Sequence, residues 1–136
     1  MPFQTVASTY ETHYDILASS KYVATTYTVD QDYVTPVTMA DGRSRKILYE
    51  GQVMALNPAN SKAVPNYTSY GFGVMGPLLQ AVDVQEADEL GAIVHRGDVV
   101  EAYCTDNGTY GTVLSATKTS LADRIHFVAP TTVTRL

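Results

Sequence analysis

Apolar and polar residues alternate in short runs along most of the chain, and turn-forming residues end most of these runs. This pattern predicts many short β-strands. The predicted strands comprise residues 34–39, 46–49, 52–56, 71–76 leading into 77–82, 92–95, 99–104 and 125–128. Asp41-Gly42 and Asn107-Gly108 predict hairpin turns, because these dipeptides readily adopt positive φ angles. Further turns are predicted at residues 57–60, 64–66 and 96–98.

One segment carries apolar residues at a helical spacing. Between residues 112 and 123, Val113, Leu114 and Leu121 fall loosely on one face, and neither proline nor glycine interrupts the segment. Its threonines and serines are weak helix formers. The sequence therefore predicts a single short helix, followed by the final strand.

The first 35 residues have a different pattern. They are rich in threonine and tyrosine, carry few aliphatic residues and contain no glycine. Such a segment forms strands readily but has little material for a core of its own. It is either an extended arm that pairs with the sheet edge of a neighbour or a set of edge strands of its own domain. The predicted division is an extended N-terminal arm, residues 1–35, and a β-rich domain, residues 36–136.

The composition supports the same fold class. The chain has 136 residues, which suits one domain. Charged residues make up 17% of it, below the usual quarter, and threonine and tyrosine take much of the remaining space. Both residue types fit a pleated surface. We therefore predict a mostly β protein with one short helix.

The charge and hydropathy of the chain bear on its partners. The formal net charge is −5, and the densest basic stretch, residues 43–46, is short. Nucleic-acid binding requires a larger basic footprint. No run of eighteen apolar residues predicts a membrane span, and the first residues lack the features of a secretory signal. We expect neither nucleic acid nor a membrane as a partner.

No group of residues matches a catalytic or metal-binding motif. Cys104 is the single cysteine, which excludes an internal disulfide and a cysteine-based zinc site. His13, His95 and His126 lack the compact spacing of zinc ligands. The acidic cluster at residues 83–89 lacks the glycine and glutamate positions of an EF-hand, and we interpret it as a solvated loop. We therefore predict no catalytic residue, no metal and no cofactor, in a protein that is not an enzyme.

The second half of the chain carries a series of short motifs. In order, these are a strand after Gly51, the Gly-rich segment 71–76, the Val-Asp pair 82–83, the Arg-Gly-Asp-Val segment 96–99, a short helix at about 113–123 and an apolar strand at 125–128. This layout resembles that of the lambda-type head decoration proteins, or capsid cement proteins, of tailed phages. The resemblance covers residues 50 to about 128.

The resemblance implies a compact, β-tulip or barrel-like domain that binds the outside of a phage capsid. It implies a viral structural protein, made in the host cytoplasm and located on the outer surface of the virion. Its partners would be the major capsid protein and two further copies of itself, in trimers at three-fold sites that stabilise the expanded head. In this picture the N-terminal arms pair with the major capsid protein.

Within the arm, we predict that aromatic and β-branched residues bind the capsid. These residues are Tyr22, Val23, Tyr27, Val29 and Tyr33. Large amphipathic rings give contact area at a low entropic cost, which suits them to interfaces. An alternative is another virion or surface module, such as a tail, fibre or adhesion component that binds a host ligand. A small hydrolase is a third and weaker interpretation.

Overall fold

The described part of the chain is mostly β-structure. The computed structural model describes residues 16–18 and 21–128. The strands are β1 (Val23–Val29), β2 (Val37–Thr38), β3 (Ser44–Arg45), β4 (Ile47–Leu48), β5 (Val53–Asn57), β6 (Lys62–Pro65), β7 (Gly73–Pro77), β8 (Val82–Asp83), β9 (Glu89–Val100), β10 (Thr105–Asp106), β11 (Thr109–Tyr110) and β12 (Ile125–Val128), and the α-helix is α1 (Ser115–Leu121). The predicted mostly β fold with one short helix is confirmed.

Six strands form a sheet that curls into a nearly closed barrel. Their order is β12-β9-β1-β6-β5-β7. Just beyond β7, Leu78 pairs with Ile93 of β9, and the Leu79 N–H donates to the Ala92 carbonyl oxygen at 2.8 Å. These contacts join β7 back to β9, while β12 runs parallel to the C-terminal part of β9. A sheet that closes on itself leaves few free edges and forms a rigid body.

Gly76 makes this closure possible. Its φ angle is +150°, a conformation that residues with a side chain rarely adopt. A Cβ atom at this position would lie 2.1 Å from the carbonyl oxygen of Val94. The backbones of β7 and β9 therefore approach each other at a point where no side chain fits.

The side chains of β9 point alternately into two apolar clusters. Ile93 belongs to the inner cluster of the barrel, and Val94 belongs to an outer cluster on the other face of the sheet. The inner cluster contains Val29, Val34, Leu48, Met54, Ala63, Met75, Leu78, Val82, Val84 and Ile93. The outer cluster contains Ile16, Val94, Val99, Cys104, Val113, Leu121 and Ile125. Strand periodicity thus buries both faces of β9, with α1 covering the outer one.

Two carboxylates hold the start of α1 in place. Asp106 is fully buried, and it accepts hydrogen bonds from the Leu114 N–H at 3.0 Å and the Asn66 side-chain amide at 2.7 Å. Glu101 accepts a hydrogen bond from the Val113 N–H at 2.9 Å. Both N–H groups lie directly before the first helical residue, Ser115, so these bonds anchor the segment from which α1 begins. Tertiary contacts therefore stabilise a helix whose own sequence favours helix only weakly.

Residues 23–34 belong to the barrel and not to a separate arm. β1 pairs along its whole length with β9, and Val29 also pairs with β6. Val29 and Val34 lie in the inner cluster. The predicted boundary at residue 35 is therefore wrong for this segment, because β1 supplies an internal strand and core side chains. It folds back onto its own domain, as the second interpretation expected, although not as an edge strand. Residues 1–15 of the predicted arm lie outside the described residues.

The predicted turns have mixed outcomes. The Asp41-Gly42 and Asn107-Gly108 turns are confirmed, and they connect β2 to β3 and β10 to β11. The turn predicted at residues 96–98 is wrong, because β9 continues through it. Pairing with β1 and β12 keeps this segment extended, although its residues are typical of a turn. Gly97 adopts a φ angle of +143°. The turn predicted at residues 64–66 is also wrong, because β6 extends to Pro65.

Candidate interaction site

A groove of about 250 Å³ opens between the short strands β2, β4 and β10 and the ends of β5 and β6. It is lined by Tyr33, Thr35, Pro36, Val37, Ile47, Leu48, Tyr49, Gln52, Pro65, Tyr67, Thr105 and Gly108. We call this cleft the aromatic groove. Tyr49 is 49% exposed, so a large part of its ring is available to a partner. Aromatic and proline side chains of this kind are typical of protein interfaces and peptide-binding grooves.

Two tyrosines of the groove, Tyr33 and Tyr67, belong to a row of four packed aromatic rings, the aromatic row. Tyr33 and Tyr67 each pack edge-on against Tyr70, with ring centroids 5.5 and 5.4 Å apart, and Tyr70 lies 5.4 Å from Phe72. Edge-to-face pairs at these separations are favourable beyond the area that they bury. Burial raises the pKa of Tyr70, and the neighbouring Tyr67 and Tyr33 raise it further. The contacts with Tyr70 hold the rings of Tyr33 and Tyr67 in place beside the groove.

The opposite side of the groove is held by backbone contacts. The Gln52 side-chain amide donates to the carbonyl oxygens of Val53 at 3.0 Å and of Thr105 at 3.4 Å. Gly108, in the β10–β11 turn, packs against Tyr67, and a Cβ atom there would lie 3.2 Å from the ring. These contacts fix the position of the hairpin relative to the aromatic row.

A second cavity, of about 410 Å³, is lined by Phe72 at the end of the aromatic row and by His95 and Arg124. The guanidinium of Arg124 lies 3.3 Å from Nδ1 of His95, and it donates to the carbonyl oxygen of Met75 at 3.4 Å. The ring of Tyr27 packs edge-on against His95. His95 is half-buried between these groups.

The acidic cluster is partly engaged in ion pairs. Asp88 accepts hydrogen bonds from the Lys62 ammonium at 2.5 Å and the Gln31 N–H at 2.8 Å. These two bonds lower the pKa of Asp88. The pKa of Asp83 is also lowered, first by the Gln85 N–H and then by the Arg45 guanidinium. The carboxylates of this loop therefore tie it to β3 and β6.

The ion pair of Asp88 makes a prediction about acid stability. A carboxylate whose pKa is lowered by folding stabilises the protein above its unfolded pKa of 3.8, and this contribution is lost as the pH falls through the folded pKa. We expect Asp88→Asn to lower the melting temperature at about pH 6 and to lower it much less at about pH 2. Thermal denaturation across this range tests the prediction, with Glu86→Gln in the same loop as the control. A difference in melting temperature between wild type and Asp88→Asn that is the same at about pH 6 and at about pH 2 would contradict it.

Cys104 and the possible metal ligands are the remaining candidates for reactive chemistry. Burial raises the pKa of the Cys104 thiol to about 12, so it is not a thiolate at neutral pH. Among residues 16–18 and 21–128, no group of three His, Cys, Asp or Glu residues is placed to hold a metal ion.

The five residues predicted to bind a capsid are not brought together. Tyr22 and Val23 are 44% and 52% exposed at the start of β1. Tyr27 is half-buried against the inner cluster. Val29 is fully buried and has no surface to offer a partner in the folded barrel. Tyr33 alone lines the aromatic groove, so the segment does not present one continuous binding face.

Sequence reasoning missed most of the groove. No sequence pattern predicted binding by four of the groove residues, although the chain is rich in tyrosine. These are Tyr49, Tyr67, Pro36 and Pro65. These residues lie in different short segments, and only the tertiary fold brings them together. The one local feature that could have indicated these residues is a tyrosine or proline close to a turn-forming residue. Tyr49, two positions before Gly51, is an example.

Comparison with known proteins adds no relative. No family profile, no curated protein and no solved structure matched the chain. Within the described ranges, no helix has the length and hydropathy needed to cross a membrane.

Proposed function

We propose that this protein is a non-enzymatic viral structural protein that binds the outer surface of a phage capsid and stabilises the expanded head. Its partners are the major capsid protein and further copies of itself, assembled as trimers at three-fold sites. Neither nucleic acid nor a membrane takes part. The proposal combines the sequence resemblance with the surface chemistry of the barrel.

The observation that carries the proposal is the aromatic groove. It is lined by three tyrosines and two prolines, and the aromatic row holds the rings of two of these tyrosines, Tyr33 and Tyr67, in fixed positions. A rigid aromatic surface loses little side-chain entropy on binding. Such a surface suits a protein that braces a lattice of identical subunits, because each weak contact is repeated across the lattice.

The order of elements gives further support. The resembling region corresponds to β5, the Gly-rich β7, the short β8, the long β9 with Gly97, the helix α1 and the final strand β12. This order is the one that the resemblance implies for a decoration protein. Because one fold can serve many functions, this order of elements supports only the proposed fold. The proposed function rests on the groove.

Co-sedimentation with mature, undecorated heads of the parent virus tests the proposal. We expect the full-length protein to pellet with expanded heads until their sites are saturated. We expect Tyr49→Ser in the groove to weaken binding by about tenfold, since interface aromatics contribute strongly to affinity. Tyr110→Ser, a change at a 60% exposed tyrosine outside the groove, is the matched control.

Two results would contradict the proposal. The first is a folded protein that binds no form of the shell at saturating concentration. The second is binding that is unchanged by Tyr49→Ser, which would remove the groove from the interface. Binding to host glycans in the absence of any shell binding would favour the alternative of a tail, fibre or adhesion module.

A further inference from the structure

Two β-bulges of the barrel meet at Arg124. β7 carries one residue more than its partner β5, and this extra residue is Met75. β9 likewise carries one residue more than β1, and this extra residue is His95. The guanidinium of Arg124 donates to the Met75 carbonyl oxygen at 3.4 Å and lies 3.3 Å from Nδ1 of His95. Bulges re-aim side chains and are over-represented next to functional sites, so their meeting at one arginine marks the cavity that these three residues line.

The contacts of Arg124 leave two hydrogen-bond donors available. A guanidinium can only donate, so Nδ1 of His95 is the acceptor, and the proton of the neutral ring is on Nε2. Both contacts use Nη1 of Arg124, while its Nε lies 3.7 Å from the carboxylate of Asp123, a side chain that is 84% exposed. In the part of the chain that the structure describes, neither Nη2 of Arg124 nor Nε2 of His95 has a hydrogen-bond partner. One cationic and one neutral donor therefore remain for a ligand.

The rest of the cavity lining is apolar. Its other side chains are those of Leu56, Pro58, Phe72, Val74 and Met75, and the two remaining lining residues are glycines. None of the nine lining residues is acidic, although the chain has a net charge of −5. The volume of about 410 Å³ lies within the range of about 300 to 1,000 Å³ that is usual for small-molecule sites. The lining therefore suits a ligand with one negative charge and an apolar body.

We propose that this cavity binds the carboxylate of an apolar acid, with Arg124 as the anion contact and Phe72 against the apolar part. The planar guanidinium matches the geometry of a carboxylate. A phosphate group fits less well, because its second charge has no second permanent cation in the lining. A free acid and the C-terminus of a peptide that ends in an apolar residue offer the same chemistry. The inference is independent of binding to a phage head.

A nuclear magnetic resonance titration of the full-length, ¹⁵N-labelled protein tests the inference. The probes are 3-phenylpropionate and a hexapeptide that ends in phenylalanine, each compared with its own amide. We expect saturable shifts of the Gly73 amide and the Arg124 Nε–H, with a dissociation constant of about 1 mM for 3-phenylpropionate. The amides, which lack the charge, bind at least about tenfold more weakly. Tighter binding of the peptide would assign the site to a chain terminus, and tighter binding of the free acid would assign it to a small molecule.

Two variants act on the site in opposite ways. Arg124→Gln removes the cation and weakens binding at least about tenfold, whereas Arg96→Gln, at an exposed arginine of β9 outside the cavity, leaves binding unchanged. Gly73→Leu fills the cavity instead. Gly73 lies opposite the lining residue Leu56, so a side chain there lies on the same face of the sheet, and its Cβ atom would meet nothing within 4 Å. We expect Gly73→Leu to fold normally and to bind at least about tenfold more weakly.

Three results would overturn the inference. They are the absence of saturable shifts up to about 20 mM of both acids, equal binding of the acids and their amides, and undiminished binding by a folded Gly73→Leu variant. If Arg124→Gln does not unfold cooperatively, the comparison with the amides still tests the charge and Gly73→Leu still tests the location. Because no heads are present, the result is separate from the co-sedimentation experiment.

Discussion

Replacing Gly76 by alanine is expected to destabilise the protein by about 3 kcal/mol or more, among the largest effects of any single substitution. The new Cβ atom would lie 2.1 Å from the Val94 carbonyl oxygen and 3.0 Å from a side-chain carbon of Ile125. The carbonyl belongs to the backbone of β9, so it cannot move aside as a flexible side chain does. The φ angle of +150° adds backbone strain for any residue with a side chain. Relief requires β7 to separate from β9, which opens the barrel.

Urea denaturation followed by far-ultraviolet circular dichroism measures this effect. The matched control is Gly73→Ala on the same strand, where a Cβ atom would meet nothing within 4 Å. We expect this control to change the free energy of unfolding by less than about 1 kcal/mol. Equal stability of the Gly76→Ala variant and the wild type would show that β7 does not close against β9.

Deleting residues 1–33 is expected to unfold the protein, whereas deleting residues 1–15 is expected to leave the fold intact. The longer deletion removes β1, which lies between β9 and β6, and with it the buried Val29. The deletion interrupts the sheet that forms the barrel and exposes the edges of β9 and β6. The shorter deletion keeps Ile16, which fills a site in the outer cluster. A cooperative unfolding transition and native circular dichroism distinguish the two results.

The shorter deletion also tests the function of the segment. The sequence resemblance implies that the N-terminal arm pairs with the capsid, so we expect the protein without residues 1–15 to remain folded but to bind heads more weakly. Full-strength binding by this protein would remove the segment from the interface. A folded, cooperative protein after deletion of residues 1–33 would show instead that β1 is dispensable to the barrel.

Local sequence patterns predicted the strands and the helix better than they predicted the topology. The Asn-Gly turn at residues 107–108 needs two residues at positive φ, and this requirement is visible in the dipeptide itself. Gly97 in an Arg-Gly-Asp segment is different, because its neighbours have the composition of a turn while strands on both sides hold it extended. The sequence of β1 predicted an arm because it is rich in threonine and has few aliphatic residues to bury. In the structure, Val29 nevertheless packs in the inner cluster and anchors the strand.

The candidate site was largely invisible in the sequence. Of the residues predicted to bind, only Tyr33 lines the aromatic groove, and its partners Tyr49 and Tyr67 lie 16 and 34 positions further along the chain. A groove built from several two-residue strands has no periodic signature, because each strand contributes too few residues to show one. In a longer strand such as β9, the alternation of apolar and polar residues can be recognised in the sequence. The way in which short strands come together depends on tertiary packing.

Cryo-electron microscopy of mature heads saturated with this protein tests the central proposal most directly. The account predicts additional density on the outer surface, arranged as trimers at the three-fold positions, with the barrel fitting each lobe and the groove end facing the shell. Heads that show no added density, at a concentration where the protein remains folded and in excess over the sites, would contradict it.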